Sequence, residues 1–275
     1  MPQNLGNMET LLNKLKAEIE TYNKTLIALS GGVDSCLASF LCRKYLGKEN
    51  AVAVIADSPS LKRKDLDTAI QFCQDNDIKY EVIKTNEIND ENYSSNPINR
   101  CYFCKNELYD TLQKLVQDKY YEFKIVNGNN YSDLGDYRPG LKSASENDIL
   151  SPFIACEIDK QAIRELANYF KLSVWNKPAS PCLSSRFPYG ESITEEKLKM
   201  VEDAESILND YGFEDVRVRT NGTIAKIEVP KKQVSRLHSH FKKIEQRIIE
   251  LGYSECIIDE EGLVSGKLNR VLNEL

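Results

Sequence analysis

The sequence predicts an α/β protein: a doubly wound parallel sheet followed by a smaller α+β domain. Three observations carry that prediction. Short apolar runs at 25–29, 51–56, 79–84 and 123–126 alternate with stretches of helical spacing. The first run breaks into Ser30-Gly31-Gly32-Val33-Asp34-Ser35, a glycine loop set between a strand and a helix. After Gly190 the order changes to helix, strand, strand, helix, strand.

In chain order, residues 7–22 place Leu11, Leu12, Leu15 and Ile19 at helical intervals. A strand at 25–29 leads through the glycine loop into a helix at 35–45. Residues 51–56 are continuously apolar, as a strand buried on both faces requires. A helix at 62–75, a strand at 79–84, a polar loop at 86–100, a helix at 102–117 and a strand at 123–126 follow. The segments 127–130 and 133–140 are rich in Gly, Asn and Asp and read as loops. Residues 161–170 are helical, and 177–190 form a loop dense in Pro and Ser. Beyond it come a helix at 194–211, strands at 216–220 and 223–229 joined by Asn221-Gly222, a helix at 231–251 and a strand at 253–258. The domain boundary is set between residues 187 and 188.

A strand–loop–helix turn offers backbone amides at a helix N-terminus, where donors and dipole together stabilise an anion. Gly31 and Gly32 let phosphate oxygens reach the backbone, and Ser30 and Ser35 add hydroxyls. Asp34 suits such a place if it holds a cation or orients a nucleotide. A plain capped turn explains one glycine and one serine, not the whole set. No Gly-Lys-Ser/Thr follows, so this is not a Walker loop. Ser-Gly-Gly-Val-Asp-Ser resembles the PP-loop of the ATP pyrophosphatases. That resemblance implies cleavage of ATP, with Mg2+, to AMP and pyrophosphate, adenylating a carbonyl oxygen for displacement by nitrogen or sulfur.

With 275 residues the chain can build two cores. It has 36 basic and 42 acidic residues, a net charge of −6, which argues against a broad nucleic-acid footprint. No apolar run approaches a membrane span, and the start Met1-Pro2-Gln3-Asn4 has no basic-then-apolar leader, so a cytoplasmic location without membrane partners is expected. The eight cysteines are then expected to stay reduced. Cys101 and Cys104 form a C-x-x-C with no second pair to complete a zinc site. Cys182 stands apart in Ala179-Ser180-Pro181-Cys182. Three thiolates with one position left open suit a [4Fe-4S] cluster. Cys36, Cys42 and Cys73 fall among apolar neighbours in expected helices and read as core; Cys156 and Cys256 are read as structural too.

Further motifs narrow the resemblance. Trp175-Asn176-Lys177-Pro178-Ala179-Ser180, Ser184-Ser185-Arg186-Phe187-Pro188-Tyr189-Gly190, Asp136-Tyr137-Arg138-Pro139-Gly140-Leu141-Lys142 and Val216-Arg217-Val218-Arg219 are similar to the LarE family across nearly the whole chain. The resemblance implies residues 1–187 as a PP-loop ATP pyrophosphatase domain and 188–275 as an α+β domain for substrate binding and oligomerisation, in a homo-oligomer. It implies sulfuration of pyridinium-3,5-biscarboxylic acid mononucleotide to a thiocarboxylate for a nickel-pincer cofactor. Ser30, Gly31, Gly32, Asp34 and Ser35 would cradle the pyrophosphate; Ala56, Asp57 and Ser58 would border the adenine; Gly128 and Arg138 would lie near the α-phosphate. Ser185, Arg186, Arg217 and Arg219 would meet the substrate's phosphate and carboxylates. Arg217 and Arg219 share one strand face by period two, shaped for a phosphate or simply solvated.

Some members of that family sacrifice a cysteine placed directly after the Ala-Ser pair; here Pro181 holds that position. Others bind a [4Fe-4S] cluster through three cysteines, and Cys101, Cys104 and Cys182 match that pattern. The expected catalytic set is therefore Asp34, Cys101, Cys104 and Cys182, with ATP, Mg2+, the cluster and inorganic sulfide. Two other enzymes compete: a cluster-dependent tRNA thiolase, which would want a strongly basic surface, and an ammonia-using amidating synthetase with structural zinc. A nucleotide-binding module without activity leaves the three cysteines unexplained.

Overall fold

The computed structural model describes residues 2–135, 138–264 and 266–273; Asp136 and Tyr137 of the 136–142 motif lie outside the described residues. In chain order the regular elements are α1 (Pro2–Glu20), β1 (Thr25–Ala28), α2 (Val33–Leu46), β2 (Ala51–Asp57), α3 (Arg63–Asp75), β3 (Lys79–Lys84), α4 (Glu91–Ser94), α5 (Arg100–Asp118), β4 (Lys124–Val126), α6 (Pro139–Glu146), α7 (Pro152–Ala155), α8 (Lys160–Tyr169), α9 (Glu195–Asp210), β5 (Arg217–Asn221), β6 (Ile224–Glu228), α10 (Val234–Glu250) and β7 (Glu255–Ile258). The chain forms two compact units, Met1–Glu87 with Asn99–Ser180, and Ile88–Ile98 with Pro181–Leu275.

The first unit is built on a parallel sheet in the order β3-β2-β1-β4. Successive side chains of a strand point to opposite faces, and the core divides accordingly. Ile27, Ala51, Ala53 and Ile55 pack with Leu37 and Leu41 of α2, Phe72 of α3 and Ile163 and Leu166 of α8. Leu26, Val52 and Val54 pack on the other face with Leu108, Tyr109 and Leu112 of α5 and Ala144 of α6. Helices on both faces explain why β1 and β2 are apolar without alternation. Each fully buried Leu or Ile contributes about 1.5–3 kcal/mol. The strands run parallel, so their carboxyl ends share one edge, where ligands of such sheets bind. That edge carries the glycine loop after β1, Asp57 and Ser58 of β2 and its exit, residues 85–87 after β3 and 127–130 after β4.

The second unit has a smaller sheet in the order β5-β6-β7. β5 and β6 form an antiparallel hairpin turned at Gly222, whose φ of 59° suits a tight turn, and β7 returns parallel to β6 after α10. Leu208, Phe213, Val218, Ala225, Ile227, Leu237, Ile244 and Ile248 form its core.

The structure departs from the sequence reading at proline and at polar stretches. Residues 139–146 and 152–155, partly read as loop or left unassigned, are helices that begin with Pro139 and Pro152. Proline at a first helical position gives up an amide that has no intrahelical partner anyway. Within 86–100, also read as loop, Asp90 caps the short α4 by accepting from the Asn92 amide at 2.9 Å. α5 starts at Arg100, so Cys101 lies in its first turn and Cys104 at the start of its second. Among the described residues no helix is long and apolar enough to cross a membrane.

Candidate active site

The glycine loop closes on itself through its serines. Ser35 Oγ receives the Ser30 amide at 3.1 Å, lies 3.1 Å from Ser30 Oγ, and donates to the Gly32 carbonyl at 3.1 Å. Gly31 adopts a φ of +74°, the left-handed region that glycine enters without cost. The N-cap of α2 is Gly32, which has no side chain to occupy the first amides of the helix. α8 and α9, in contrast, are capped by Asp159 and Thr194. The first amides of α2 are thus left without a side-chain cap.

Charged groups surround this loop. Asp34 takes a salt bridge from Lys160 on Oδ2 and a hydrogen bond from Asn130 Nδ2 at 3.2 Å on Oδ1. Asn130 is 2% exposed, and its own Oδ1 is buried with no hydrogen-bond partner among the described residues. Lys177 donates to the Gly31 carbonyl at 3.0 Å and pairs with Asp65 at 2.8 Å; Ser180 Oγ donates to the same carboxylate at 2.7 Å. The Lys177–Ser180 stretch is therefore strapped to the glycine loop. Gly128 passes so close to α2 that an added Cβ would stand 2.6 Å from the Ser35 amide nitrogen. Arg138 pairs with Asp133 at 2.8 Å, and Asp133 also accepts from the Asn130 amide at 3.0 Å.

At the end of β2, Ala56 packs against the core face that carries α5. Asp57 pairs with Arg63. Ser58 lies 2.8 Å from Ser60 Oγ and donates to Glu87. Glu87 is 2% exposed, and its second carboxylate oxygen has no hydrogen-bond partner among the described residues.

The eight cysteines sort by environment. Cys36, Cys42, Cys73, Cys156 and Cys256 are buried. Burial pushes all five thiols up, to about 12 for Cys42, Cys73 and Cys256, which keeps them protonated and unsuited to bind metal. Cys101, Cys104 and Cys182 have solvent access. Cys101 and Cys104 stand three residues apart on one face of α5 in the first unit, and Cys182 belongs to the second. Among the described residues no group of three or more His, Cys, Asp or Glu is arranged to hold a metal ion.

In the second unit Arg186 is 1% exposed and fully engaged. It grips Glu205 through Nε at 2.8 Å and Nη2 at 3.2 Å, and donates to the carbonyls of Pro181 at 2.9 Å and Cys182 at 3.2 Å. Ser185 Oγ donates to the Cys182 carbonyl at 2.8 Å. Arg186 and Ser185 thus shape the turn that carries Cys182, a role the sequence reading did not give them. Arg219 pairs with Glu228 at 2.7 Å and donates to the Ser185 carbonyl at 3.0 Å. Arg217 lies on the same face of β5 and pairs with Glu228 along the hairpin; its guanidinium makes no ion pair or hydrogen bond among the described residues. Burial, and then the charges of Arg186 and Arg219, lower the pKa of its guanidinium. The carboxylates of Glu228 and Glu205 act in the opposite direction on this half-buried arginine.

Lys160, Asn130, Asp65 and Glu87 were not singled out from the sequence. Lys160 and Asp34 are 126 positions apart, and nothing local marks either Lys160 or Asn130 as a partner of the loop. Lys177 did carry a signal, as part of the 175–180 motif.

Comparison with known proteins agrees with this layout. The NAD synthase family matches residues 7–102. An NH(3)-dependent NAD(+) synthetase of Methanocaldococcus jannaschii is 31% identical over 88 residues, 30% of this chain and 34% of that protein. An uncharacterized protein of Synechocystis is 43% identical over 97% of this chain and 100% of its own length. The pyridinium-3,5-bisthiocarboxylic acid mononucleotide synthase of Lactiplantibacillus plantarum is 30% identical over 97% of this chain and 98% of that protein. A match that runs through both units, and not the PP-loop segment alone, decides the assignment: the chain belongs to the LarE family of PP-loop proteins.

Proposed function

We propose that the chain is an ATP pyrophosphatase-type sulfurtransferase acting on pyridinium-3,5-biscarboxylic acid mononucleotide. A substrate carboxylate oxygen attacks the α-phosphorus of ATP, pyrophosphate leaves, and an acyl adenylate forms. Sulfide then attacks the acyl carbon; the carbon–oxygen bond to AMP breaks, the electron pair leaves with AMP, and a thiocarboxylate remains.

The loop amides at the start of α2, with Ser30 and Ser35, bind the pyrophosphate portion, and Asp34 is the ligand for Mg2+, which such sites hold through one or two carboxylates and the phosphates. Ala56 and Ser58 border the base, and Gly128 and Arg138 border the α-phosphate side. Arg217 and Arg219 receive the anionic groups of the mononucleotide, while Arg186 and Ser185 hold the Cys182 turn in shape. Cys101, Cys104 and Cys182, the cysteines with solvent access, fit the donor set of a [4Fe-4S] cluster. When bound, the cluster supplies Lewis-acid iron that keeps sulfide deprotonated.

The observation that carries the reading is Arg217. A half-buried guanidinium without a hydrogen bond or ion pair among the described residues, in the unit that also holds Cys182, is explained by an anionic substrate. The test is incubation of anaerobically purified protein with ATP, Mg2+, the mononucleotide and sulfide. One AMP and one pyrophosphate are expected for each oxygen exchanged for sulfur in the product. Amide formation with ammonia in place of sulfide would favour the amidating alternative, whose support is the 7–102 match.

A further inference from the structure

We infer that Lys267 is a positioning residue that offsets the charge of the buried Glu228 and so keeps Arg217 and Arg219 available to an anion. The inference rests on the reading of those arginines as the mononucleotide's site.

Glu228 is what makes such a residue necessary. Its side chain is fully buried, it lies opposite Arg217 in the register of the β5–β6 hairpin, and its Oε1 accepts from Arg219 Nε at 2.7 Å. Its Oε2 has no hydrogen-bond partner among the described residues. A carboxylate this deep is screened little by salt. It cancels much of the positive charge that the two arginines would offer to a phosphate or a carboxylate. A further cation beside it restores that charge.

Lys267 is that cation. Its Nζ stands 3.4 Å from Glu228 Oε1, the oxygen that Arg219 uses, and its side chain is 14% exposed. It also reaches Asp259 at 2.5 Å and Glu261 at 3.2 Å. Each of those carboxylates has another cation, Lys226 at 3.0 Å from Asp259 and Arg270 at 2.6 Å from Glu261. The charge of Lys267 is therefore not used up by them, and it remains to offset Glu228. The backbone fixes where that charge sits. Lys267 opens the 3₁₀ turn Lys267–Asn273 and donates to the Gly262 carbonyl at 3.3 Å. Asn269 in the same turn accepts from the Tyr189 hydroxyl at 2.9 Å, which clips the turn to the 184–190 motif.

The test is titration calorimetry of the full chain with pyridinium-3,5-biscarboxylic acid mononucleotide. Lys267→Met should weaken binding at least about tenfold, and Lys267→Arg should stay near wild type. Lys267→Met combined with Glu228→Gln should bind as wild type does, because no buried charge is left to offset. A lysine that served the fold alone would gain nothing from that second change. Unchanged affinity in Lys267→Met overturns the inference, and so does a folded double variant that still binds weakly. If Lys267→Met alone does not fold, the double variant decides: wild-type affinity supports the inference and weak binding overturns it. If wild type does not bind the mononucleotide, the proposed function fails. The same variants are then compared with inorganic phosphate by phosphorus magnetic resonance, counting only the binding that Arg217→Ala abolishes. Loss in Lys267→Met with recovery in the double variant supports the inference, and no such binding overturns it.

Discussion

Arg217 and Arg219 show how two residues of the same type on one strand face come to differ. Arg219 is committed to Glu228, whose side chain is fully buried and whose second oxygen has no hydrogen-bond partner among the described residues. Removing Arg219 strips that carboxylate of its closest cation and leaves Lys267 at 3.4 Å. Breaking a buried pair from one side costs about 3–5 kcal/mol, less here to the extent that Lys267 compensates. Arg217 has no such duty. Arg217→Ala should therefore leave the melting temperature near wild type while raising KM for the mononucleotide by about tenfold to a hundredfold, the loss of a charge-assisted bond of about 1.5–3 kcal/mol. Arg219→Ala should lower both stability and activity. Calorimetry beside steady-state kinetics reads the split; a large loss of stability in Arg217→Ala, or a changed KM for ATP, would show that Arg217 serves the fold or the nucleotide instead. The sequence placed both arginines on one face but could not say which was spoken for, because Glu228 meets Arg219 only through the fold.

At the scale of elements, the site depends on how closely β4's exit passes the start of α2. Gly128 is the contact: a Cβ there would meet backbone atoms of Asp34 and Ser35 at 2.6–2.8 Å, and backbone in a helix start cannot step aside. Gly32 presents the opposite case, since an added Cβ meets only Ser30 Oγ at 3.5 Å, an ordinary contact. Gly128→Ala should therefore lower stability and ATP binding together, whereas Gly32→Ala should melt like wild type and lose ATP binding alone. Equal melting temperatures for the two variants, measured by thermal scan, would count against the close approach. The glycine loop and the strands around it were legible because buried parallel strands are continuously apolar and the loop's residues are adjacent in sequence. α6 and α7 were not, because Pro139 and Pro152 look like breakers unless they are seen to be first residues. The Cys101–Cys104 pair was legible as a spacing, and the fold adds that both stand on one helical face. The ion pairs of Asp34 with Lys160 and of Asp65 with Lys177 were hidden by separations that no local pattern spans.

Taken over the whole molecule, the proposed sulfur transfer turns on whether the chain is a catalyst or a reagent. A polypeptide that donates its own cysteine sulfur becomes dehydroalanine at that position and stops after one product. One that passes on an external sulfide loses no atom. The proposed cluster puts this chain in the second class, and two features argue for it. Pro181 occupies the position directly after Ala179-Ser180 where sacrificial members of the family carry their cysteine. Of eight cysteines, the five buried ones have thiols raised by burial, which leaves Cys101, Cys104 and Cys182 as the set with solvent access for metal chemistry. Anaerobically purified chain supplied with sulfide should therefore form many equivalents of thiocarboxylate while its intact mass stays constant, and it should contain iron. Replacement of Cys101, Cys104 or Cys182 by Ser should each abolish the iron and the sulfur transfer, yet leave adenylation, read as AMP-forming exchange of labelled pyrophosphate into ATP, in place. Product limited to one equivalent, with the chain lighter by one hydrogen sulfide at Cys182 and no iron present, would reverse the assignment and make this chain a reagent consumed by its own reaction.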